Sequence, residues 1–196
     1  MFPFVETLRI ERGQVCNLEY HQRRMAATMG HFFPEATVPS LADILASRRW
    51  PSDRVWKVHV EYDGRGIGMV KADEYHMRTI RKLRLVCCDD IDYEYKSADR
   101  SRLLALAAER GDADEIVIVR QGLITDTSYS NIALYDGRRW VTPRHPLLSG
   151  TMRQSLLDQG LLEERDIRAC EWPGYQRASL INAMMPLGRC VVAIAG

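Results

Sequence analysis

Between residues 115 and 143 the chain reads EIVIVRQGLITD and then SNIALYDGRRWVTP, four short β-prone runs broken at Gln121-Gly122 and Asp136-Gly137. A glycine in the second place of a two-residue turn supplies the positive φ that a tight hairpin needs, so these runs predict consecutive antiparallel strands. A sheet of this kind has to bury a face, and the other segments supply what covers it. FVETLRI near the N-terminus is a strand ending in the turn-forming ERG. WKVHVEYD, the glycine-rich DGRGIG turn, GMVKADEY and LRLVCCDD read as further strands.

Elsewhere the period changes. Met25, Met29 and Phe32 recur at helical spacing and predict a helix over 19–31 with one buried stripe. SLADILASRRW opens with Ser40 as a candidate N-cap and Asp43 three residues on, a loose capping box. A helix over 99–110 carries Leu103, Leu104, Ala107 and Ala108 and stops at Gly111, and one over 152–162 carries Leu156, Leu157 and Leu161. The end alternates a strand IRACEW, a short helix near 173–178, and strands SLINAM and RCVVAIAG. These patterns predict an α+β protein of two lobes, residues 1–92 and 93–196, with a boundary near 90–94 and a site between the lobes.

Composition excludes more than it proposes. With 27 basic and 26 acidic residues, the net charge of +1 gives no field for nucleic acid or an anionic membrane. No apolar run approaches the roughly 20 residues that span a bilayer, and MFPFVETLRIERG lacks the plan of a signal peptide, so a cytoplasmic protein is expected. The five cysteines form no C-x-x-C pair and the five histidines no H-x-x-x-H pair, which argues against a disulfide framework and a metal centre.

Four features suit a phosphorylated aldehyde cofactor. Lys96, in DYEYKSADR, stands at an expected strand-to-helix junction, where a rigid, desolvated amine has its pKa lowered towards that of a nucleophile. By itself it also reads as a surface charge. Tyr93 and Tyr95 should share the strand face opposite Glu94 and Lys96. Asp126 lies in a polar run between two strands, where it could face a ring nitrogen or simply form a turn. LLSGTMRQSLL is a small-residue turn opening a helix, either an anion site or an ordinary cap. Arg24, three residues after His21, could clamp a phosphate or stay solvated.

In chain order the motifs are Phe4-Val-Glu-Thr-Leu-Arg9, His21-x-x-Arg24, Lys96-x-x-x-Arg100, Asp114-Glu115, Gly122-x-Ile-Thr-Asp126-x-x-x-Ser-Asn131, Thr142-Pro143, Leu148-x-Gly150-x-x-Arg153 and Ile181-Asn-Ala-Met-Met-Pro186. This series resembles the class IV aminotransferases, the pyridoxal-phosphate fold shared by branched-chain aminotransferases, D-amino-acid aminotransferases and 4-amino-4-deoxychorismate lyase. The resemblance covers nearly the whole chain. It implies fold type IV: a smaller N-terminal α/β lobe, a C-terminal β-barrel-like lobe with helices, and pyridoxal 5'-phosphate between them.

The resemblance makes Lys96 the Schiff-base lysine, which also shuttles protons, and Asp126 the partner of the pyridinium nitrogen, beside Asn131. Asp126 replaces the usual glutamate and is shorter by about 1.5 Å. Arg24, the backbone at Thr151 and Met152, and Asn182-Ala183 resemble the phosphate cradle, with Met152 replacing a hydroxyl residue. Lys57 and His59 are candidates for the substrate carboxylate, with Arg100 and Arg153 in second place. KVHVEYDGRG, K-x-x-x-R and INAMMP look more like the lyase, which makes 4-aminobenzoate and pyruvate, than an aminotransferase acting on a branched-chain or D-amino acid with a keto-acid acceptor. A cofactor-less descendant that binds a ligand is the remaining alternative. Family members carry a segment before the F-x-E-T strand, so a more open substrate mouth, or one lined by a dimer partner, is expected; a homodimer is implied.

Overall fold

The computed structural model describes residues 3–194, which divide into two compact units. The first comprises residues up to His76 together with Tyr95–Asp99, and the second Met77–Glu94 and everything from Arg100 on. The expected switch near residue 92 is therefore too late: the strand LRLVC pairs in parallel with 115–119 and belongs to the second unit.

In the first unit β1 (Phe4–Glu11) turns tightly through Arg12 and Gly13, both at positive φ, into β2 (Gln14–Val15). Helix α1 (Leu18–Phe32), the short helix α2 (Leu41–Ala46), β3 (Val55–Asp63) and β4 (Gly66–Glu74) follow. The sheet is antiparallel in the order β2-β1-β3-β4. Period-2 alternation sends Phe4, Glu6, Leu8 and Ile10 of β1 and Val58, Val60 and Tyr62 of β3 to one face, where Met25 and Met29 of α1 and Leu41 and Leu45 of α2 cover them. Each of the aliphatic, Phe and Met side chains among them contributes about 1.5–3 kcal/mol on burial, whereas Glu6 does not. Ser40 caps α2, its Oγ accepting from the Asp43 amide at 3.2 Å, as the sequence suggested. Phe32 departs from expectation: it is 44% exposed, and the buried stripe of α1 runs back through Met29 and Met25 to His21. Phe33, just past the helix, packs into this core instead.

The second unit contains β5 (Leu83–Cys87), α3 (Ser101–Ala108), β6 (Glu115–Arg120), β7 (Leu123–Thr127), β8 (Asn131–Tyr135), β9 (Trp140–Pro143), α4 (Thr151–Asp158), β10 (Glu163–Arg165), a 3-10 turn (Ala169–Gly174), β11 (Arg177–Asn182) and β12 (Met185–Ala193). Its strands run in the order β10-β9-β8-β7-β6-β5, with β11 pairing both β8 and β12. The expected barrel-like closure is absent among the described residues; β11 branches from β8, and the sheet stays open. The Gln121-Gly122 turn is present, both residues at positive φ (51° and 77°). The expected strand IRACEW is absent: a 3-10 turn with Pro173 inside it takes most of its place, earlier than the helix expected at 173–178, and the expected SLINAM strand begins at Arg177.

The stretch before Lys96 is not a strand. Tyr95–Asp99 is a bent strap joined to the start of β1 by the bridge Phe4–Ser97 and by Val5 N–H to Lys96 O (3.0 Å) and Ala98 N–H to Pro3 O (2.8 Å). Without a pleat, Tyr93 and Tyr95 do not share a face. Tyr93 packs in the second unit against the cluster of Ile91 and Leu103, and Tyr95 packs in the first against Phe4. No helix among the described residues is long and apolar enough to cross a membrane.

Candidate active site

In the first unit the candidate residues gather around one acid. His21 and Arg24 lie one turn apart on α1 and face Glu6 of β1. Arg24 donates from Nε to Glu6 Oε1 at 2.8 Å and from Nη2 to Oε2 at 2.7 Å, and His21 donates from Nδ1 to the same Oε2 at 2.7 Å. Glu6 and His21 are fully buried and the Arg24 side chain is 14% exposed. Burial pushes the Glu6 carboxyl up, but the charge and hydrogen bonds of Arg24, aided by His21, outweigh it and hold Glu6 at about 2. His21 moves down, chiefly through burial. The Glu6 carboxylate resists that shift, while Arg24 and Lys96 add to it. Lys96 is therefore an electrostatic neighbour of His21, as its backbone tie to the residue preceding Glu6 requires.

Lys57 and His59 lie on the other face of this sheet. The register sets Val58 and Val60 beside Leu8 and Glu6, and Lys57 and His59 beside Arg9 and Thr7. Lys57 is exposed, and half-buried His59 lies 3.4 Å from Glu61.

In the second unit Asp126 on β7 is buried with neutral donors only. Its Oδ1 accepts from Asn131 Nδ2 at 2.8 Å and its Oδ2 from the Leu148 amide at 3.0 Å. Asn131, its register partner on β8, also donates to Leu148 O at 2.8 Å, tying the strand pair to the loop before α4. Burial dominates and raises Asp126 to about 6, against the hydrogen bonds from Asn131 and Leu148 and the charge of Arg153. The loop then meets α4 at Gly150, the N-cap, where a Cβ would stand 1.8 Å from Asn131 Oδ1. Only glycine fits there. Thr151 and Met152 follow as buried residues of the first turn, whose amides and helix dipole suit an anion.

The turn between β7 and β8 is heavily fixed. Thr127 Oγ1 and Ser130 Oγ are 2.7 Å apart, the Ser130 amide donates to Thr127 Oγ1 at 3.0 Å, and the Ser128 amide donates to Glu115 Oε1 at 3.2 Å. Arg100 donates from Nη2 to Ser128 O at 2.8 Å, so it serves the turn. Asn182 donates from Nδ2 to Tyr129 O at 3.3 Å and accepts the Met184 and Met185 amides, shaping the bend that holds half-buried Ala183. Arg153, a second-place candidate for the substrate carboxylate, is instead turned into the protein. It is 4% exposed, and its Nη2 donates to Pro143 O (2.8 Å) and Glu164 Oε1 (2.6 Å), binding α4 to β9 and β10.

Each unit thus assembles its own share of the candidates: Arg24 and Lys96 beside Glu6 in the first, and Asp126, Asn131, Thr151, Met152, Asn182 and Arg100 in the second. Sequence reasoning gave no role to Glu6, Glu115 or the close approach at Gly150. Glu6 had a legible signal, being an acid in the inward phase of Phe4-x-Glu6-x-Leu8-x-Ile10. Pyridoxal phosphate fits this donor set. A buried carboxylate with only neutral donors is matched by a ring N–H bearing positive charge, and a glycine-opened helix start by a phosphate.

Comparison with known proteins agrees. The family model for amino-transferase class IV matches residues 71–192. An uncharacterised protein of Haemophilus influenzae is 33% identical over 187 residues, 94% of this chain and 98% of that protein. The crystal structure of a provisionally named 4-amino-4-deoxychorismate lyase from Haemophilus somnus superposes with a TM-score of 0.90 at 34% identity, covering 95% of this chain and 98% of that one. A hypothetical aminotransferase from Mycobacterium tuberculosis in its pyridoxal-phosphate-bound form shares the fold, with a TM-score of 0.70 at 17% identity over 96% of this chain and 80% of that one. The chain belongs to the class IV aminotransferase family.

Proposed function

We propose that the protein is a pyridoxal-phosphate-dependent lyase that converts 4-amino-4-deoxychorismate to 4-aminobenzoate and pyruvate. The observation that supports the cofactor most is Asp126, a buried carboxylate raised to about 6 and served by neutral donors alone. The choice of reaction follows the Haemophilus somnus relative, which matches over nearly its whole length. When bound, the cofactor supplies an electron-withdrawing ring that stabilises negative charge developing beside the substrate nitrogen.

This chain's residues divide the remaining work. Lys96 Nζ would hold the cofactor and, freed when the substrate amine takes its place, would take the proton from the carbon bearing that amine. The enolpyruvyl group then leaves as the ring becomes aromatic, and a returned proton completes pyruvate. Asp126, held in place by Asn131 and the Leu148 amide, would accept from the cofactor's ring N–H and keep it protonated. In the second unit the Thr151 and Met152 amides and the Asn182-Ala183 bend would hold the phosphate, and Arg24 of the first unit is assigned to it by the family resemblance. Lys57 and His59 are assigned to substrate carboxylates. Arg100 and Arg153 are not, since the first fixes the Ser128 turn and the second is buried against Pro143 and Glu164.

The test is to reduce the protein with borohydride in the presence of pyridoxal phosphate, map the adduct, and then supply aminodeoxychorismate without a keto acid. An adduct at Lys96 and stoichiometric pyruvate support the proposal. The family match admits a second reading, amino transfer; keto-acid-dependent transfer without pyruvate release would establish that instead. A colourless protein with no adduct at Lys96 would overturn both.

A further inference from the structure

We infer that Glu6 is a positioning residue for cofactor binding: by gripping Arg24 in a bidentate fork, and being itself braced by His21, it fixes the direction in which the Arg24 guanidinium meets the phosphate. The inference rests on the proposed role of Arg24 and assigns to Glu6 and His21 a part that the mechanism above does not use.

The geometry is that of a two-stage brace. Nε and Nη2 of Arg24 are bound to the two oxygens of Glu6 at 2.8 and 2.7 Å. Two of the five N–H donors of a planar guanidinium are thereby bound to Glu6 on one edge, which sets the plane of the group. The carboxylate is in turn fixed, because His21 Nδ1 donates to Oε2 at 2.7 Å and Glu6 belongs to the middle of a paired strand. Lys96 is tied to the same strand one residue earlier, through Val5 N–H to Lys96 O, so the clamp and the amine share one rigid support.

Packing alone does not explain Glu6. Its side chain is fully buried between the inward positions of Phe4 and Leu8, and an apolar residue there would cost no desolvation. Replacing a buried ion pair with apolar residues is often neutral or stabilising, so the pair is weak evidence of a stability role. Electrostatic attraction also fails as a reason. A negative carboxylate beside Arg24 weakens the pull on a phosphate dianion, so Coulomb's law alone predicts tighter binding when the charge is removed. Positioning predicts the opposite sign.

The deciding measurement is equilibrium binding of pyridoxal phosphate and of pyridoxal, which lacks the phosphate, to wild-type protein, Glu6→Gln, Arg24→Ala and the double variant. Positioning residues around a ligand-binding group typically matter by about 10–100-fold. Glu6→Gln should weaken pyridoxal phosphate by about that factor and leave pyridoxal within about twofold. In the Arg24→Ala background the same change should have almost no further effect, because the group it positions has gone. Glu6→Asp, which keeps the charge but shortens the reach, should bind pyridoxal phosphate at an intermediate level, and it carries the test should Glu6→Gln not fold. Equal losses for both ligands, tighter phosphate binding in Glu6→Gln, or an undiminished effect without Arg24 would each overturn the inference while leaving the proposed enzyme intact. Wild-type protein that binds neither ligand would overturn the proposed function, and the inference with it.

Discussion

Two carboxylates in this protein are equally cut off from water and have been driven in opposite directions. Glu6 in the first unit is held at about 2, while Asp126 in the second is raised to about 6. Burial raises both; what differs is the company. Glu6 has a guanidinium on both oxygens and an imidazole on one, all supplied by its own unit. Asp126 has an amide side chain and backbone N–H groups, which satisfy its lone pairs without cancelling its charge. The first site is electrostatically complete as folded. The second has no cation bonded to its carboxylate among the described residues, only the more distant charge of Arg153, and the proposed protonated cofactor ring would supply one.

The largest test of this contrast removes the anchor of that missing cation. Lys96→Ala should lower turnover by at least about 10³-fold, the scale on which a positioned acid–base group contributes. Borohydride labelling should disappear with it. A variant that retained wild-type turnover would remove the reason for reading Asp126 as unfinished.

Next in size is Gly150→Ala. A methyl group 1.8 Å from Asn131 Oδ1 must displace the side chain that donates to Asp126. Overpacking and a lost buried hydrogen bond together should destabilise the fold by about 2–4 kcal/mol in urea unfolding. Gly174→Ala, where nothing lies within 4 Å, is the control and should change stability by about 0.5 kcal/mol or less. Equal effects at the two glycines would show that the Asn131 clasp has slack.

The opposite shifts also require opposite pH slopes in the cofactor-free protein. Glu6 is depressed from an ordinary 4.5, so the stability it contributes is present above 4.5 and is lost as pH falls towards 2. Asp126 is raised from 3.8, so the folded state holds its proton more tightly, and stability declines as pH rises from 3.8 through about 6. Each shift corresponds to about 3 kcal/mol. Denaturation measured from pH 2 to 8 should show both declines. Glu6→Gln should flatten the acid limb and Asp126→Asn the limb above pH 4, and a profile unchanged by Asp126→Asn would break the comparison. Saturating pyridoxal phosphate should abolish the upper decline alone.

How much of this was legible in the sequence follows from the range of the forces involved. The hairpins at Gln121-Gly122 and Asp136-Gly137, the Ser40 cap and the stripe through Met25 and Met29 are local, and local pattern finds them. Lys96, Asp126 and Arg24 become candidates through their order along the chain, which resembles that of a family, and not through their immediate neighbourhoods. The missed features depend on contacts across long separations. Glu6 meets Arg24 eighteen residues away, Gly150 is forced by Asn131, and Arg153 is drawn inside by Glu164. The run leading into Lys96 reads as a strand and the residues from 99 as a helix, but residues 95–99 form a strap whose partner is the start of β1, and a single bridge gives no periodic signal.

The smallest effect concerns a charge that is neither buried nor paired within the sheet core. Lys57 is exposed on the face away from Glu6, beside Arg9 in the register. If it meets a substrate carboxylate, it does so through water and salt, where a single charge contact is worth about 1 kcal/mol or less. Lys57→Ala should therefore raise KM by up to about fivefold and leave kcat and pyridoxal-phosphate affinity unchanged. Because the Debye length shrinks from about 10 Å at 0.1 M salt to about 3 Å at 1 M, the difference from wild type should also close as salt is added. Arg153→Ala should behave differently: it should cost stability with no salt-sensitive change in KM, since its partners are Pro143 and Glu164 inside the second unit. A KM change in the Arg153 variant, with none in the Lys57 variant, would reverse the assignment of the substrate side and place the carboxylate contact in the second unit.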